Sequence, residues 1–209
     1  MLFRSARLVC ASFRDFVKKE LGDAPTLQVF DEAFCHRWLA EFQMLTRTLA
    51  EDSNSQLRDY STTMLGAILG NESATFIQIG DGAIVIDDPQ DSEEFCWVFW
   101  PEESEYANVT YFATALDAGE HLQVAVLDRV PTEVALFTDG LQRLALHIAS
   151  KAAHSPFFRA MFKPIRQSEY GFSEGDKLTV TQFLESPSVL ERTNDDKSLV
   201  LATRRMVDS

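Results

Sequence analysis

The amino-acid sequence predicts an α+β fold with a mainly antiparallel sheet. Apolar residues recur at helical spacing between Ala6 and Leu49, short apolar runs rich in β-branched residues fill the middle of the chain, and helical patterns return before a final strand. Hairpin connections between the predicted strands outnumber the long crossovers that parallel strands require, so antiparallel pairing is favoured. With 209 residues, 45% of them hydrophobic, the chain is expected to form a single domain over residues 1–209.

Two amphipathic helices are predicted in the first quarter of the chain. The apolar positions of the first helix, which Gly22 ends, are Ala6, Val9, Cys10, Phe13, Phe16, Val17 and Leu21. Those of the second helix are Leu27, Phe30, Phe34, Trp38, Phe42, Leu45 and Leu49. So wide an apolar stripe is typical of a helix that covers a sheet.

Eight strands and three further helices are predicted from Ser61 onwards. The strands are expected at 62–69, 75–79, 83–86, 95–99, 110–114, 122–127, 134–138 and 198–203, and the helices after Gly140, at 156–165 and at 178–184. Asp81-Gly82 predicts a hairpin between the second and third strands. The strands at 62–69 and 134–137 are apolar at nearly every position, so both faces should be buried, as in a layered sandwich.

The charge and cysteine content disfavour several classes of function. Nineteen Lys and Arg residues stand against 32 Asp and Glu residues, and the net charge of −13 disfavours binding to nucleic acid or to an anionic membrane surface. The three cysteines, Cys10, Cys35 and Cys96, are far apart, which favours the reducing cytoplasm and disfavours a zinc site. No apolar run is long enough to cross a membrane.

Aspartates stand at the ends of three predicted strands. Asp81 follows the strand at 75–79, Asp139 closes the strand at 134–138, and Asp195-Asp196 precedes the strand at 198–203. If the last two strands are adjacent and antiparallel, the carboxylates of Asp139 and Asp195 lie at the same edge of the sheet. Such an edge without Cys or His suits Mg²⁺ or Mn²⁺, although any single Asp-Gly is more often only a turn.

The order and flanks of these segments resemble those of the PP2C (PPM) phosphatases, particularly the compact bacterial members. Residues 61–63 and 75–82 are similar to the family's pair of strands that ends in a Gly-Asp turn, and residues 105–110 to its segment before another strand. Residues 135–141 resemble the strand that ends in a metal-binding Asp-Gly, and residues 195–200 resemble the closing Asp-Asn/Asp-x-Thr/Ser motif. The resemblance runs from about Ser5 to Arg204.

This resemblance implies an αββα sandwich of two mainly antiparallel sheets flanked by helices. It implies a metal-dependent serine/threonine protein phosphatase, a hydrolase of signalling pathways, that uses two Mn²⁺ or Mg²⁺ ions to activate a water against a phosphorylated protein. Asp139 and Asp195 would be metal ligands, and Asp81 either binds a third metal or shapes its turn. Gly140 and Asp196 would support the site.

The sequence departs from the family pattern at its start. The family has an earlier Asp-Gly-x-Gly/Ser motif, whose Asp bridges both metals, and this sequence enters the following helix at about Ser5. We therefore expect an N-terminally incomplete domain with exposed sheet edges and marginal stability. Two functions stay open on this resemblance: a truncated phosphatase domain, or a catalytically inactive PP2C-like interaction or regulatory module with a kinase as its partner. A third, remote alternative is an unrelated α+β binding domain in which the Asp-Gly segments are only turns.

Overall fold

The computed structural model describes residues 2–22, 30–91, 93–101 and 110–205, in which the chain divides into two compact units. The first unit is formed by Met1–Asp81 and Pro101–Val130, and the second by Gly82–Trp100 and Pro131–Ser209. Each unit contains helices and an antiparallel sheet, so the predicted α+β class is confirmed.

The helices and strands follow the predicted general order, with helices first, strands in the middle and further helices before the last described strand. They are α1 Leu2–Leu21, α2 Glu32–Asp52, β1 Met64–Leu69, β2 Ala74–Ile79, β3 Ala83–Asp87, β4 Phe95–Phe99, β5 Gln123–Leu127, β6 Glu133–Phe137, α3 Gln142–Ala145, β7 Leu146–His147, β8 Ala152–Ala153, α4 Ser155–Gln167, α5 Glu174–Leu184, α6 Pro187–Leu190 and β9 Leu199–Thr203. None of the described helices combines the length and the apolar character that crossing a lipid bilayer requires.

Helices α1 and α2 form the aromatic core of the first unit. The ring centroids of Phe13 and Trp38 are 5.0 Å apart in an edge-to-face contact, and the buried Trp38 indole donates a hydrogen bond to Ser12 Oγ at 3.3 Å. Helix α2 begins at its cap, Asp31, whose carboxylate accepts the Phe34 N–H at 2.8 Å. Most of the apolar positions predicted for the two helices form one core, but Ala6, Cys10 and Leu45 are exposed. Leu49 is only half-buried, and Leu27 lies outside the described residues.

The sheet of the first unit has the strand order β1-β2-β5, with both pairs antiparallel. Every residue of the central strand β2 is buried. Strand β1 was predicted to be buried on both faces, and this is wrong: alternate residues are partly exposed and Leu69 at its end is 41% exposed, because β1 is an edge strand.

The sheet of the second unit has the order β4-β3-β6-β9, with every neighbouring pair antiparallel. Its central strands β3 and β6 are almost entirely buried, as predicted for 134–137. Helix α4 covers it with Phe158 and Phe162, and the Phe162 ring stacks on Phe95 with centroids 5.6 Å apart. This packing follows from the apolar positions predicted within 156–165.

Two elements differ from the sequence-based expectations. The hairpin at Asp81-Gly82 is wrong: β2 pairs with β1 and β5, whereas β3 pairs with β4 and β6, so the dipeptide joins strands of different sheets. The prediction of a strand at 110–114 is also wrong. The Ala113 N–H donates a hydrogen bond to the Thr62 carbonyl at 2.9 Å, and the chain turns there instead of continuing as a strand.

The helix directly after Gly140 is short, whereas the two later predicted helices are longer than expected. Helix α3 has only four residues because the chain turns directly into the two-residue ladder of β7 and β8. Helix α5 begins four residues before the predicted Leu178, since Ser173 Oγ caps it by accepting the Asp176 N–H at 3.1 Å.

An ion pair between a buried carboxylate and a partly exposed arginine joins α4 to the start of β6. Arg166 donates from Nε and Nη2 to the two carboxylate oxygens of Glu133 at 2.6 and 2.7 Å. The Glu133 side chain is 3% exposed and that of Arg166 is 40% exposed. A buried carboxylate is tolerated only while its charge is matched, so the stability of this unit depends on the pair.

Arg166→Ala is expected to lower the free energy of unfolding by about 3 kcal/mol, because it leaves the Glu133 carboxylate buried without its counter-ion. Urea unfolding followed by circular dichroism measures the change. Lys177→Ala is the control, since the Lys177–Glu174 pair is largely exposed and is expected to contribute less than about 1 kcal/mol. Equal effects of the two substitutions would contradict the prediction.

The thiol of Cys35 should make stability depend on pH in the alkaline range. Burial, with the nearby charges of Asp31 and Glu32, raises the pKa of Cys35 to about 12. In the unfolded chain the thiol ionises at about pH 8.5, so its stabilising contribution is complete below that pH and is lost as pH rises towards 12, by up to about 1.4 kcal/mol per pH unit. Cys35→Ala is expected to show a shallower fall in unfolding free energy above about pH 9. Parallel pH profiles of the two proteins would contradict this.

Candidate functional site

The pairing of β6 with β9 brings together the two segments that carry Asp139 and Asp195. The antiparallel ladder between these strands ends with the pair of Phe137 and Leu199. Beyond it, the Thr138 N–H donates to the Ser198 carbonyl at 3.2 Å, and the Ser198 N–H donates to Thr138 Oγ1 at 2.9 Å. The structure thus meets the condition stated for the sequence, namely that these two strands are adjacent and antiparallel. Asp139 and Asp195 both lie beyond the same end of the ladder.

Gly140 allows the two segments to approach each other closely. A Cβ atom at this position would lie 2.4 Å from the carbonyl oxygen of Asp196, a separation that real side chains do not tolerate. The same carbonyl accepts a hydrogen bond from Thr138 Oγ1 at 3.4 Å. The Asp139-Gly140 turn therefore packs against the backbone carbonyl of Asp196, and the supporting role of Asp196 in the site stays a prediction.

The carboxylates of Asp139 and Asp195 are exposed, and each is oriented by its own turn. Asp139 Oδ1 accepts the Gly140 N–H at 2.9 Å, and Asp195 Oδ1 accepts the Asp196 N–H at 2.8 Å. The N–H of the following residue thus orients each side chain. We call the region formed by Asp139, Gly140, Asp195 and Asp196 the aspartate edge.

Asp81 lies in the first unit, where its carboxylate Oδ2 accepts a hydrogen bond from Thr110 Oγ1 at 2.8 Å. This contact supports the turn-shaping interpretation, and the ligand interpretation stays a prediction. The segment 105–109, which forms most of the predicted family segment before Thr110, lies outside the described residues.

The donors of the aspartate edge fit Mn²⁺ or Mg²⁺ in kind, because both ions prefer carboxylate and carbonyl oxygens. Within 2–22, 30–91, 93–101 and 110–205, no three His, Cys, Asp or Glu side chains gather into a group that could hold a metal ion. The assignment of Asp139 and Asp195 as ligands therefore stays a prediction that rests on two carboxylates and their shared edge.

Sequence reasoning missed the hydroxyl groups that organise these turns. Thr138 ties its strand end to Ser198 and Asp196, and Thr110 holds Asp81. The signal for Thr138 was present as a hydroxyl residue directly before Asp-Gly. Nothing in the sequence spacing relates Thr110 to a residue 29 positions earlier.

Two sequence comparisons relate the chain to known phosphatases. A family model described as Protein phosphatase 2C matches residues 4–184, a range that includes Asp81 and Asp139 and ends before Asp195. Serine/threonine-protein phosphatase 3 of Escherichia coli (strain K12) is 37% identical over 153 residues, which are 73% of this chain and 59% of that protein. The match therefore spans less than two thirds of the length of that relative.

Solved structures share the fold at low sequence identity. PppA, described as a key regulatory component of T6SS in Pseudomonas aeruginosa, has a TM-score of 0.60 at 15% identity, over 96% of this chain and 79% of that one. The serine/threonine phosphatase Stp1 from Staphylococcus aureus has a TM-score of 0.52 at 13% identity, over 92% and 75% of the two chains. The predicted PP2C-like fold is confirmed, and the match to residues 4–184 shows that the chain belongs to the protein phosphatase 2C family.

Proposed function

We propose that this chain acts as a metal-dependent phosphoserine and phosphothreonine protein phosphatase, with the aspartate edge as part of its metal site. The observation that carries the proposal is the antiparallel pairing of β6 with β9, which places Asp139 and Asp195 at one sheet edge in a chain of this family. Their oxygen donors suit the ions that the family resemblance implies.

In the proposed reaction, two Mn²⁺ or Mg²⁺ ions would supply an activated water and neutralise charge on the phosphoryl oxygens. Asp139 and Asp195 would hold the metal through the carboxylate oxygens that their own turns orient. Thr138 and Gly140 would fix the spacing of the two turns, because the hydroxyl binds the facing segment and the glycine leaves room for it. The exposed position of both carboxylates leaves the edge open to a phosphorylated side chain.

The proposed substrate is a phosphorylated protein in the cytoplasm. Similarity to a serine/threonine-protein phosphatase supports the substrate class, and three widely separated cysteines support a reducing compartment. The net charge of −13 favours phosphorylated segments that carry neighbouring basic residues over acidic ones.

Mn²⁺-dependent hydrolysis of a phosphothreonine peptide tests the proposal. Asp139→Asn is expected to abolish turnover and to weaken Mn²⁺ binding by more than about tenfold, because even a residue that only orients a metal ligand contributes about 10–100-fold to affinity. Calorimetry with Mn²⁺ and phosphate release are measured on the same samples, and Glu191→Gln controls for the loss of one negative charge.

The two measurements separate the possible results. Mn²⁺ binding that depends on Asp139 without turnover would retain the metal site and reject hydrolysis, which favours an inactive regulatory module. Equal Mn²⁺ affinity in the wild type and in Asp139→Asn would reject the aspartate edge as a metal site.

Gly140→Ala tests whether the close approach of the two turns matters. The added methyl group must displace the Asp196 carbonyl, so we expect a loss of about 1–3 kcal/mol in stability and weaker Mn²⁺ binding. Gly175→Ala is the matched control, since a Cβ there meets nothing nearer than Ser173 Oγ at 3.7 Å and should stabilise helix α5 by up to about 1 kcal/mol. Unchanged Mn²⁺ affinity in a folded Gly140→Ala protein would count against the proposed spacing.

A further inference from the structure

The second unit contains a cavity of about 330 Å³ at the end of the β6–β9 ladder that is opposite to the aspartate edge. Glu133, the first residue of β6, pairs there with Thr203, the last residue of β9. At about 3.4 Å per residue, the four steps from Glu133 to Phe137 separate the two edges by about 14 Å. We call this space the arginine cavity. Its charged lining residues are Arg166, Arg204, Arg205, Asp87, Glu93 and Glu133.

Two of the three carboxylates are already engaged by the protein. Both oxygens of Glu133 accept hydrogen bonds from Arg166, and Asp87 Oδ1 accepts the Glu133 N–H at 2.8 Å. Glu133 and Asp87 are also buried. Only the exposed Glu93 presents its charge at the rim of the cavity.

Arg166 and Arg205, in contrast, keep unused donors. Arg166 uses Nε and Nη2 on Glu133, and Arg205 uses Nη2 on the Ile165 carbonyl at 3.2 Å. Neither Nη1 of Arg166 nor Nε and Nη1 of Arg205 meets an acceptor in the part of the chain that the structure describes. A guanidinium group has five N–H donors in a planar fork, so most of the Arg205 fork remains available.

The half-buried Arg205 also lacks a counter-ion among the described residues. Removing a charge from water without pairing it is unfavourable, so an anion bound beside Arg205 would relieve this cost. The volume of the arginine cavity is near the lower limit of the range found for ligand pockets. A cavity of this size suits a small ion or one side chain rather than a larger ligand.

We propose that the arginine cavity binds a phosphate group, with Arg205 as its anchor and Arg166 as a second donor. The planar fork of arginine matches phosphate oxygens in pairs, which gives this ligand an advantage over a singly charged carboxylate. The phosphate is either free inorganic phosphate or the phosphoryl group of a phosphorylated residue. The proposal is independent of the proposed hydrolysis, because the cavity and the aspartate edge lie at opposite ends of β6.

Calorimetric titration of the whole chain with inorganic phosphate, in EDTA so that no metal contributes, tests the proposal. Arg205→Ala is expected to weaken phosphate binding by at least about tenfold, since hydrogen bonds from a charged donor are lost. Arg205→Lys should also bind more weakly than the wild type, because a lysine provides a point charge without the fork. Arg166 is not the test position, since its removal would leave Glu133 buried and unpaired.

Two further variants guard against long-range charge effects. Lys163→Ala removes one positive charge from the same helix as Arg166, outside the cavity lining, and is expected to change phosphate affinity by less than about twofold. Glu93→Gln removes the rim carboxylate and is expected to strengthen binding. Thermal melting of each variant shows that it is folded.

A phosphoserine peptide and its unphosphorylated form identify the source of the phosphate. Tighter binding of the phosphopeptide, weakened by Arg205→Ala in parallel with phosphate, assigns the cavity to phosphorylated protein segments. Equal or tighter binding of inorganic phosphate assigns it to the free ion. The proposal is overturned if folded wild type shows no saturable phosphate binding, or if Arg205→Ala and Lys163→Ala weaken it equally.

Discussion

The register of β6 against β9 is the constraint on which both candidate sites depend. One end of this ladder pairs Glu133 with Thr203 beside the arginine cavity, and the other pairs Phe137 with Leu199 before the two aspartate turns. Because side chains alternate between the faces of a strand, a slip by one residue would move every side chain of β6 to the opposite face, away from the residues that it packs against. The burial of β6 therefore fixes the register, and the register places the polar groups at both ends.

Much of the fold could be predicted because apolar, β-branched runs bounded by turn residues mark strands locally. The failures occur where a local signal does not determine the partner. Asp81-Gly82 favours a tight turn, but no dipeptide specifies which strand the following residues will join, and β3 joins another sheet. The segment 110–114 has strand-like composition, yet its Ala113 N–H is used on Thr62 outside any ladder. Composition indicates that a residue suits a strand, and only tertiary packing decides whether a partner strand is available.

In the candidate sites, too, features carried by short motifs could be predicted from the sequence, whereas contacts between distant segments could not. Asp139 and Asp195 could be proposed from the sequence because each stands at a strand end, where a short motif is informative. The Glu133–Arg166 pair could not be proposed, since these residues are 33 positions apart and each is unremarkable in its own segment. Arg205 follows β9 at the opposite end of the ladder. Its proposed role rests on guanidinium donors that meet no acceptor among the described residues, and a sequence gives no sign of this. Carboxylates in turns can thus be proposed from the sequence, whereas side-chain contacts between residues distant in the sequence require a structure.

The interleaving of the two units along the chain has a consequence for synthesis on the ribosome. Neither unit is contiguous, because Gly82–Trp100 belongs to the second unit and Pro101–Val130 returns to the first. During N-to-C synthesis the β3–β4 hairpin emerges before β5 and long before its other sheet partners, so its apolar residues await β6 while the first sheet is completed. Strand β9 is translated last of the described strands. Until residues near 203 have left the exit tunnel, the nascent second unit therefore has an unpaired β6 edge, which can pair with the strand edge of a neighbouring nascent chain.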